Sequence, residues 1–590
     1  MNKTILFLMT GLLFCSLLSS CEQQTYDQPL EVLESIRLNQ LGFYPDGAKK
    51  AAVVDMDGVE TFLVVSDKDN RVVYRGNLSD QRSSSFSDRV TRIADFSDMT
   101  ATGHFRLVLP DRGQSYSFAI DPSVHEDLSK GALKAFYFQR MSTELLPEHA
   151  GEWARPTAHP DDRVKVHASA ASAERPEGTI LSAPKGWYDA GDYNKYIVNS
   201  GITMGTLLAV YEDFPSFAKK LGIGIPESGN DIPDLLDEIL WNLEWMLAMQ
   251  DPYDGGVYHK LTTAKFEGRV MPHQATSQRY VVAKSTAATL DFAAVMAQAY
   301  RVYQDFMPDL ANRCLEAALK AWDWAEKHPD VLYRQNEMNE RYKPEVTTGA
   351  YGDNDVADER NWAACELYVS TRDNRFLSHI ELDNIAFELP GWRTVGWMGY
   401  YSLLRFRDQL SDFPQGDMDR IQEVLLKQAR HYASHAREEN PYQVVMGQDA
   451  KDFVWGSNSV AANQGIALIQ AYFLTEEKEY LDMALANLDY IMGRNATGYS
   501  YVTGYGHKTP RDPHHRPSGA EPDKAPIRGL IVGGPNPGQQ DGCDYESKIA
   551  DESYVDDYCS YASNEIAINW SAPFAYLTLG VEAIKGGDRR

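Results

Sequence analysis

The sequence predicts a mainly α-helical protein with a small β-sandwich in front of the helices. Three observations carry that reading. Short β-rich runs divided by turn residues fill the stretch from about Glu34 to Ile120. Helical periodicity takes over after about Ser129 and persists to the end. The length, 590 residues, exceeds one ordinary domain and suits one large unit plus a small one.

The first element is a targeting segment. Lys3 precedes an apolar run from Ile5 to Leu18, as in a secretory signal. The run ends in Leu18-Ser19-Ser20-Cys21, which resembles a bacterial lipobox. That resemblance implies a signal peptide over 1–20, lipidation of Cys21 and a tether over 21–33. The protein would then sit outside the cytoplasm at the outer membrane, on its surface or periplasmic face. The alternative is a plain signal peptide with an incidental cysteine. No later stretch is long and apolar enough to span a bilayer, so lipid alone would provide the hold.

The sandwich is expected over 34–125. Val53-Val54, Thr61 to Val65, Arg71 to Tyr74 and His104 to Leu109 are its strands, with Asp57-Gly58 and Asp111-Arg112-Gly113 as turns. The large domain is expected over 130–590. Ile232-Pro233 opens a helix whose face carries Leu235, Leu236, Ile239, Leu243 and Met246. Ser285 is placed to cap the next. Leu310 to Ala325, Val356 to Ser370, Val395 to Phe406, Met418 to His435, Ser459 to Leu474, Tyr480 to Met492 and Asn564 to Ile584 repeat the pattern. Ten or so helices at this length fit a toroid of paired helices, though periodicity alone does not separate it from other large helical folds. Gly504 to Asp541 is a long loop rich in Gly, Pro, His and Arg, and such loops are usually functional.

Composition narrows the function. A net charge of −27 repels phosphate backbones and argues against nucleic acid as a partner. A neutral polysaccharide is indifferent to it. The 33 Tyr, 22 Phe and 11 Trp supply flat apolar faces on which pyranose rings pack, although core packing is the commoner use of such rings. Among the cysteines, Cys314 and Cys365 fall in helical patterns and read as small buried groups. Cys543 and Cys559 flank one loop and either pair or stay free.

Two carboxylate motifs carry the chemistry. Asp189-Ala190-Gly191-Asp192 lies within an aromatic run from Trp187 to Tyr196. A tight turn there points both carboxylates at one spot, where they can hold a water while one takes its proton. The competing reading is a turn-forming loop. Far along the chain, Asn564-Glu565 precedes a helix. A buried glutamate with a raised pKa is a good acid, and the competing reading is a carboxylate favoured by a helix start. A base and a distant acid are what an inverting glycoside hydrolase needs. His514-His515-Arg516 offers hydrogen bonds to sugar hydroxyls, with a metal site as the rival reading.

Together these segments resemble glycoside hydrolase family 9, over nearly all of the chain beyond the signal. The run from Ser500 to Lys508 ending in Pro513-His514-His515-Arg516 is similar to the family's histidine signature. Tyr554, Asp556, Tyr561 and Glu565 match its acidic signature, with Ser571 standing where the family usually has Asn. Val454 to Ser459 and Gly533 to Gly538 look like cleft loops, and Glu34 to Phe43 looks like the start of the immunoglobulin-like domain that precedes many members.

The resemblance implies an (α/α)6 barrel acting on β-1,4-glucan chains by inversion, as a monomer. It implies Asp192 as general base, Asp189 as its helper at the water and Glu565 as general acid. His514 and Arg516 would bind the sugar beside the cut bond, and Asp556 would support the acid. Trp455, Tyr188 and Tyr561 are candidate stacking residues, with core packing as the alternative for each. The loop from Tyr351 to Glu359 resembles a family calcium loop, with Asp355, Asp358 and Glu359 as ligands, against a solvated helix cap. Some relatives carry a structural zinc near the base loop. Here His159 and His167 remain but no cysteine lies between Cys21 and Cys314, so no zinc is expected. No cofactor is expected for catalysis. A tethered enzyme reaches insoluble cellulose poorly, which favours a soluble glucan such as xyloglucan or a mixed-linkage chain. Exo action on oligosaccharides and a non-catalytic glycan-binding lipoprotein are the alternatives.

Overall fold

The computed structural model describes residues 25–588, apart from Asp27 and Pro29. The expected signal peptide and Cys21 lie outside the described residues.

The strands are β1 (Ile36–Arg37), β2 (Gly42–Phe43), β3 (Lys50–Val54), β4 (Thr61–Ser66), β5 (Val72–Asn77), β6 (Thr91–Asp95), β7 (Gly103–Leu109), β8 (Gly113–Gln114) and β9 (Phe118–Ile120). One sheet runs β2-β9-β7-β4-β5 with β8 on β7, and the other runs β1-β3-β6. Phe43, Phe62, Phe96 and Phe118 fill the space between them, with Phe43 centred 5.4 Å from Phe96 and 5.5 Å from Phe118. The period of two then divides β3 between two cores. Ala51 and Val53 join the sandwich core, whereas Ala52 and Val54 join the core of the helical domain.

Polar contacts follow the same seam. Arg89 pairs with Glu552, Thr91 Oγ1 donates to the Pro441 carbonyl, and Tyr44 donates to Glu582. Part of the expected tether is also bound. Tyr26 and Leu30 pack on Leu63, Val65 and Val108, and Val32 bridges Gln114, because the outer face of the larger sheet is apolar. The described part of the expected tether over 21–33 thus lies along the sandwich.

Eleven long helices form the large domain: α1 (Glu126–Gln139), α2 (Ile197–Asp213), α3 (Asp234–Ala248), α4 (Thr286–Tyr303), α5 (Pro308–Lys327), α6 (Ala357–Thr371), α7 (Gly396–Arg405), α8 (Gln415–Glu438), α9 (Ser457–Thr475), α10 (Lys478–Ile491) and α11 (Ile568–Lys585). Ser285 caps α4 as expected, accepting from the Ala288 N–H. α2, α4 and α11 are buried nearly all round, whereas α5 and α8 bury one stripe. Neighbours α11, α2, α4, α6 and α7 pack in that order, and α9 packs on α11.

A small sheet absent from the sequence reading is built from strands on both sides of α2 and α3 in the chain. Its strands β10 (Val164–Val166), β11 (Ile180–Leu181), β12 (Lys195–Tyr196), β13 (Lys260–Thr263) and β14 (Arg279–Val281) run in the order β11-β10-β14-β13-β12. Cys543 and Cys559 form a disulfide, and Cys314 and Cys365 are buried and free. No helix among the described residues is long and apolar enough to cross a membrane.

Candidate active site

The turn Asp189–Asp192 lies just before β12, and the Asp189 N–H donates to the Asn194 carbonyl to close it. Both carboxylates are buried and firmly oriented. Asp192 Oδ2 accepts from Asn194 Nδ2 at 2.5 Å and from Tyr196 OH at 3.1 Å. Its Oδ1 has no hydrogen-bond partner among the described residues and can accept from water. Asn194 is fixed in turn by the Thr263 N–H on β13, 2.9 Å away. Asp189 accepts from Asn199 Nδ2 at 2.7 Å and from Tyr351 OH at 2.8 Å. Burial, then the neighbouring Asp192 charge, pushes the Asp189 carboxyl well above its usual range.

The acid residue is on extended backbone rather than on a helix. Asn564 to Ala567 was expected to open the last helix, yet α11 begins at Ile568. The preceding residues bridge three other segments instead: Glu565 to His514, Ile566 to Val532 and Ala567 to Ala190. The Ile568 N–H donates to the Asp189 carbonyl at 2.8 Å. Base turn, histidine loop and acid segment are thus stitched by backbone hydrogen bonds. Gly191 permits the closeness. A Cβ there would lie 2.1 Å from the His514 carbonyl oxygen and 3.1 Å from Glu565 Oε1.

Enclosure raises the Glu565 carboxyl well above the usual carboxylate range, and the charges of Asp192 and Asp189 push the same way. Arg516 and the Gly191 N–H oppose them. The net effect keeps Glu565 protonated, as a general acid requires.

His514 is held by its Nδ1, 2.7 Å from the Tyr558 carbonyl. A carbonyl only accepts, so Nδ1 carries the proton. Burial lowers the pKa of His514 and keeps it neutral, which leaves Nε2 as an acceptor rather than the expected donor. Its ring stacks on Tyr558 at 4.9 Å. Asp556 accepts from the Arg511 and Asp512 N–H groups at 2.8 and 3.0 Å and from Asn564 Nδ2 at 3.2 Å. It positions the histidine loop and the acid segment. Arg516 donates to the Glu267 carbonyl at 2.9 Å and lies over Phe266.

Trp455 is 43% exposed and its ring lies 5.4 Å from Tyr561, which in turn lies 5.9 Å from His514. These two rings suit sugar stacking. Tyr188 does not. It is 1% exposed, bonded to His159 Nδ1 at 2.8 Å and packed on Tyr193, so its aromatic neighbours take it into the core. Sequence reasoning missed Asn194, Tyr196, Asn199 and Tyr351. The first two stood in the quoted base run; Tyr351 opened the loop assigned to calcium.

That loop divides. Asp355 is exposed and caps the Ala357 N–H, so it leaves the proposed ligand set. Asp358 accepts from the Val395 N–H. Glu359 and Asp291, on adjacent helices α6 and α4, are fully buried with both oxygens of each unpartnered. Burial raises the pKa values of Asp291, Asp358 and Glu359, and repulsion adds to it at Asp291, from Asp358 and Asp353, and at Glu359, from Asp291 and Asp358. No group of three or more His, Cys, Asp or Glu among the described residues is placed so that it could hold a metal ion. His159 and His167 have other partners, His167 bonding Ser169 Oγ and the Pro344 carbonyl.

Residues 125–578 match the glycosyl hydrolase family 9 model, and residues 31–114 match the cellulase N-terminal ig-like domain. The chain belongs to glycosyl hydrolase family 9. A xyloglucan-specific endo-beta-1,4-glucanase of Bacteroides ovatus is 47% identical over 93% of this chain and 94% of its own. Endoglucanase D of Acetivibrio thermocellus is 31% identical over 98% of this chain and 86% of its own. Among solved structures, a Bacteroides ovatus family 9 protein superposes with a TM-score of 0.87 at 44% identity, covering 94% of this chain and 99% of its own. With the family goes its chemistry, and the protein is a glycoside hydrolase of the endo-β-1,4-glucanase kind.

Two outcomes test the geometry. Gly191→Ala should lower kcat about 10²-fold by forcing the base turn off the acid segment. Circular dichroism and the melting temperature check that the fold survives, and a parental kcat would refute the constraint. Glu565→Gln should lower kcat on glucan by about 10²–10⁴-fold. In the parent, the raised pKa keeps the acid competent at low pH, and activity is lost as pH rises through it. The residual activity of the variant should lack that alkaline limb in a pH–rate profile.

Proposed function

We propose that this endo-β-1,4-glucanase cuts xyloglucan by inversion, with Asp192 as base and Glu565 as acid. The placement of these two carboxylates on either side of Gly191, one with a free oxygen and one held protonated, carries the reading. Asp192 Oδ1 takes a proton from water as the water oxygen bonds to the anomeric carbon. The glycosidic C–O bond breaks, and Glu565 gives its proton to the leaving oxygen. His514 Nε2 accepts from a sugar hydroxyl beside the cut bond. The 47% identical xyloglucan-specific relative supports that branched glucan as substrate. The buried and half-buried helices are read as the inner and outer rings of an (α/α)6 barrel. Lipidation at Cys21 would hold a monomer at the outer membrane.

The chemistry of the acidic cluster suits calcium, although its carboxylates are not gathered into a ready site. Glu359 and Asp291 have four buried carboxylate oxygens without partners, and a hard cation takes oxygen ligands. Asp358, Glu359 and Asp291 would hold the ion, which would lock α4 to α6 and the loop carrying Tyr351.

Proton NMR of early products decides the first reading. Newly formed α-anomeric reducing ends and a higher kcat/KM on xyloglucan than on carboxymethylcellulose are expected; β-anomers first would refute inversion. For calcium, a chelator should lower the melting temperature and added Ca2+ restore it, a hundredfold excess over Kd being worth about 2.7 kcal/mol. Glu359→Gln should abolish that response.

A further inference from the structure

A groove of ≈ 490 Å³ runs between the sandwich and the helical domain. Ser85 and Phe86 line it from the sandwich, Asp449 and Lys451 from the loop before Trp455, and Lys548 and Ile549 from the loop inside the disulfide. Two walls connect it to the catalytic cleft. Along the first, Asp449, Lys451, Val454 and Trp455 are exposed on one short stretch, and Trp455 leads through Tyr561 to His514. Along the second, Tyr561 OH donates to the Gln540 carbonyl, Gln539 Nε2 to the Ser547 carbonyl, and the Ile549 N–H to Ser547 Oγ.

Resting on the endoglucanase reading above, we infer that this groove is a distal subsite for the β-1,4-glucan chain that extends past Trp455. Continuity with the cleft selects the occupant. The lining agrees with it. The Phe86 ring, packed 5.5 Å from Phe453 but still partly open, and Ile549 offer apolar surface to a pyranose face. Asp88 and Asp449 supply acceptors for hydroxyl groups, and Lys451 and Lys548 supply donors. A strongly acidic or basic polymer would meet a like charge on one wall, whereas a neutral chain meets none. The sandwich thereby takes part in choosing substrate length.

The full chain is assayed on soluble xyloglucan and on cellotetraose, a chain of only four sugars. Ser85→Trp fills the groove from the sandwich side and Lys548→Trp from the other, so either variant decides if its partner fails to fold. Each should lower the ratio of polymer to tetraose kcat/KM by about tenfold, the worth of one good contact region. An unchanged ratio in the folded variants, whether or not both rates fall together, overturns the subsite and leaves the endoglucanase reading standing. A parent chain inactive on both substrates instead overturns that reading, and the subsite with it.

Discussion

The cleft depends on one close approach. The base turn passes the histidine loop and the acid segment with no room for a side chain at Gly191. Backbone hydrogen bonds then tie the three segments to one another rather than each to its own helix. Acid and base are therefore set relative to each other by peptide geometry, the stiffest reference a protein has. The electrostatics follow from that placement. Proximity of Asp189 and Asp192 helps to keep Glu565 protonated, while Asp192 is oriented by Asn194 and Tyr196 with one oxygen left for water. A general base and acid of the same residue class thus differ only in what surrounds them.

Support comes from elements distant in sequence. Asn194 answers to Thr263 on β13, Asp189 to Tyr351 before α6, and His514 to Asp556 and Tyr558 within the disulfide loop. Of the buried helices, α2 adds Asn199 from its first turn. The helical domain works as a frame whose loops converge, and its acidic cluster behind Tyr351 lies where a bound cation would stiffen one of those loops.

Legibility in the sequence varied with the physical origin of each feature. One-sided helices such as α3 and α8 declared themselves, because a half-buried helix must alternate its chemistry. The helix α2 did not, since it is buried on every side and carries Asn199, Ser200 and Thr203 among its apolar residues, which blurs the period. The sandwich strands β3, β4, β5 and β7 were plain and β6 was missed, whereas β1, β2, β8, β9 and β10 to β14 are two to four residues long and too short to pattern. At the site, the motif residues Asp192 and Glu565 were readable from chemistry plus resemblance. The extended backbone of Asn564 to Ala567 was not, because it is fixed by bridges to residues far away. Tyr188 misled for a related reason: an aromatic beside a catalytic turn looks the same in sequence whether it faces sugar or core. Asp291 lay outside any motif, since only packing of α4 on α6 brings it to Glu359.

The strand β3 serves two interiors at once. Ala51 and Val53 face one core, Ala52 and Val54 the other, and Arg89 reaches across to Glu552 in the loop whose Tyr558 carbonyl holds His514. A boundary drawn there divides a shared layer rather than a linker. The sandwich is consequently a poor cassette: shuffled between family members, it would carry half of a complementary surface to a partner that never evolved the other half. Substitutions on the two sides should be inherited as matched sets, and recombination should break between the units rarely despite their different architectures.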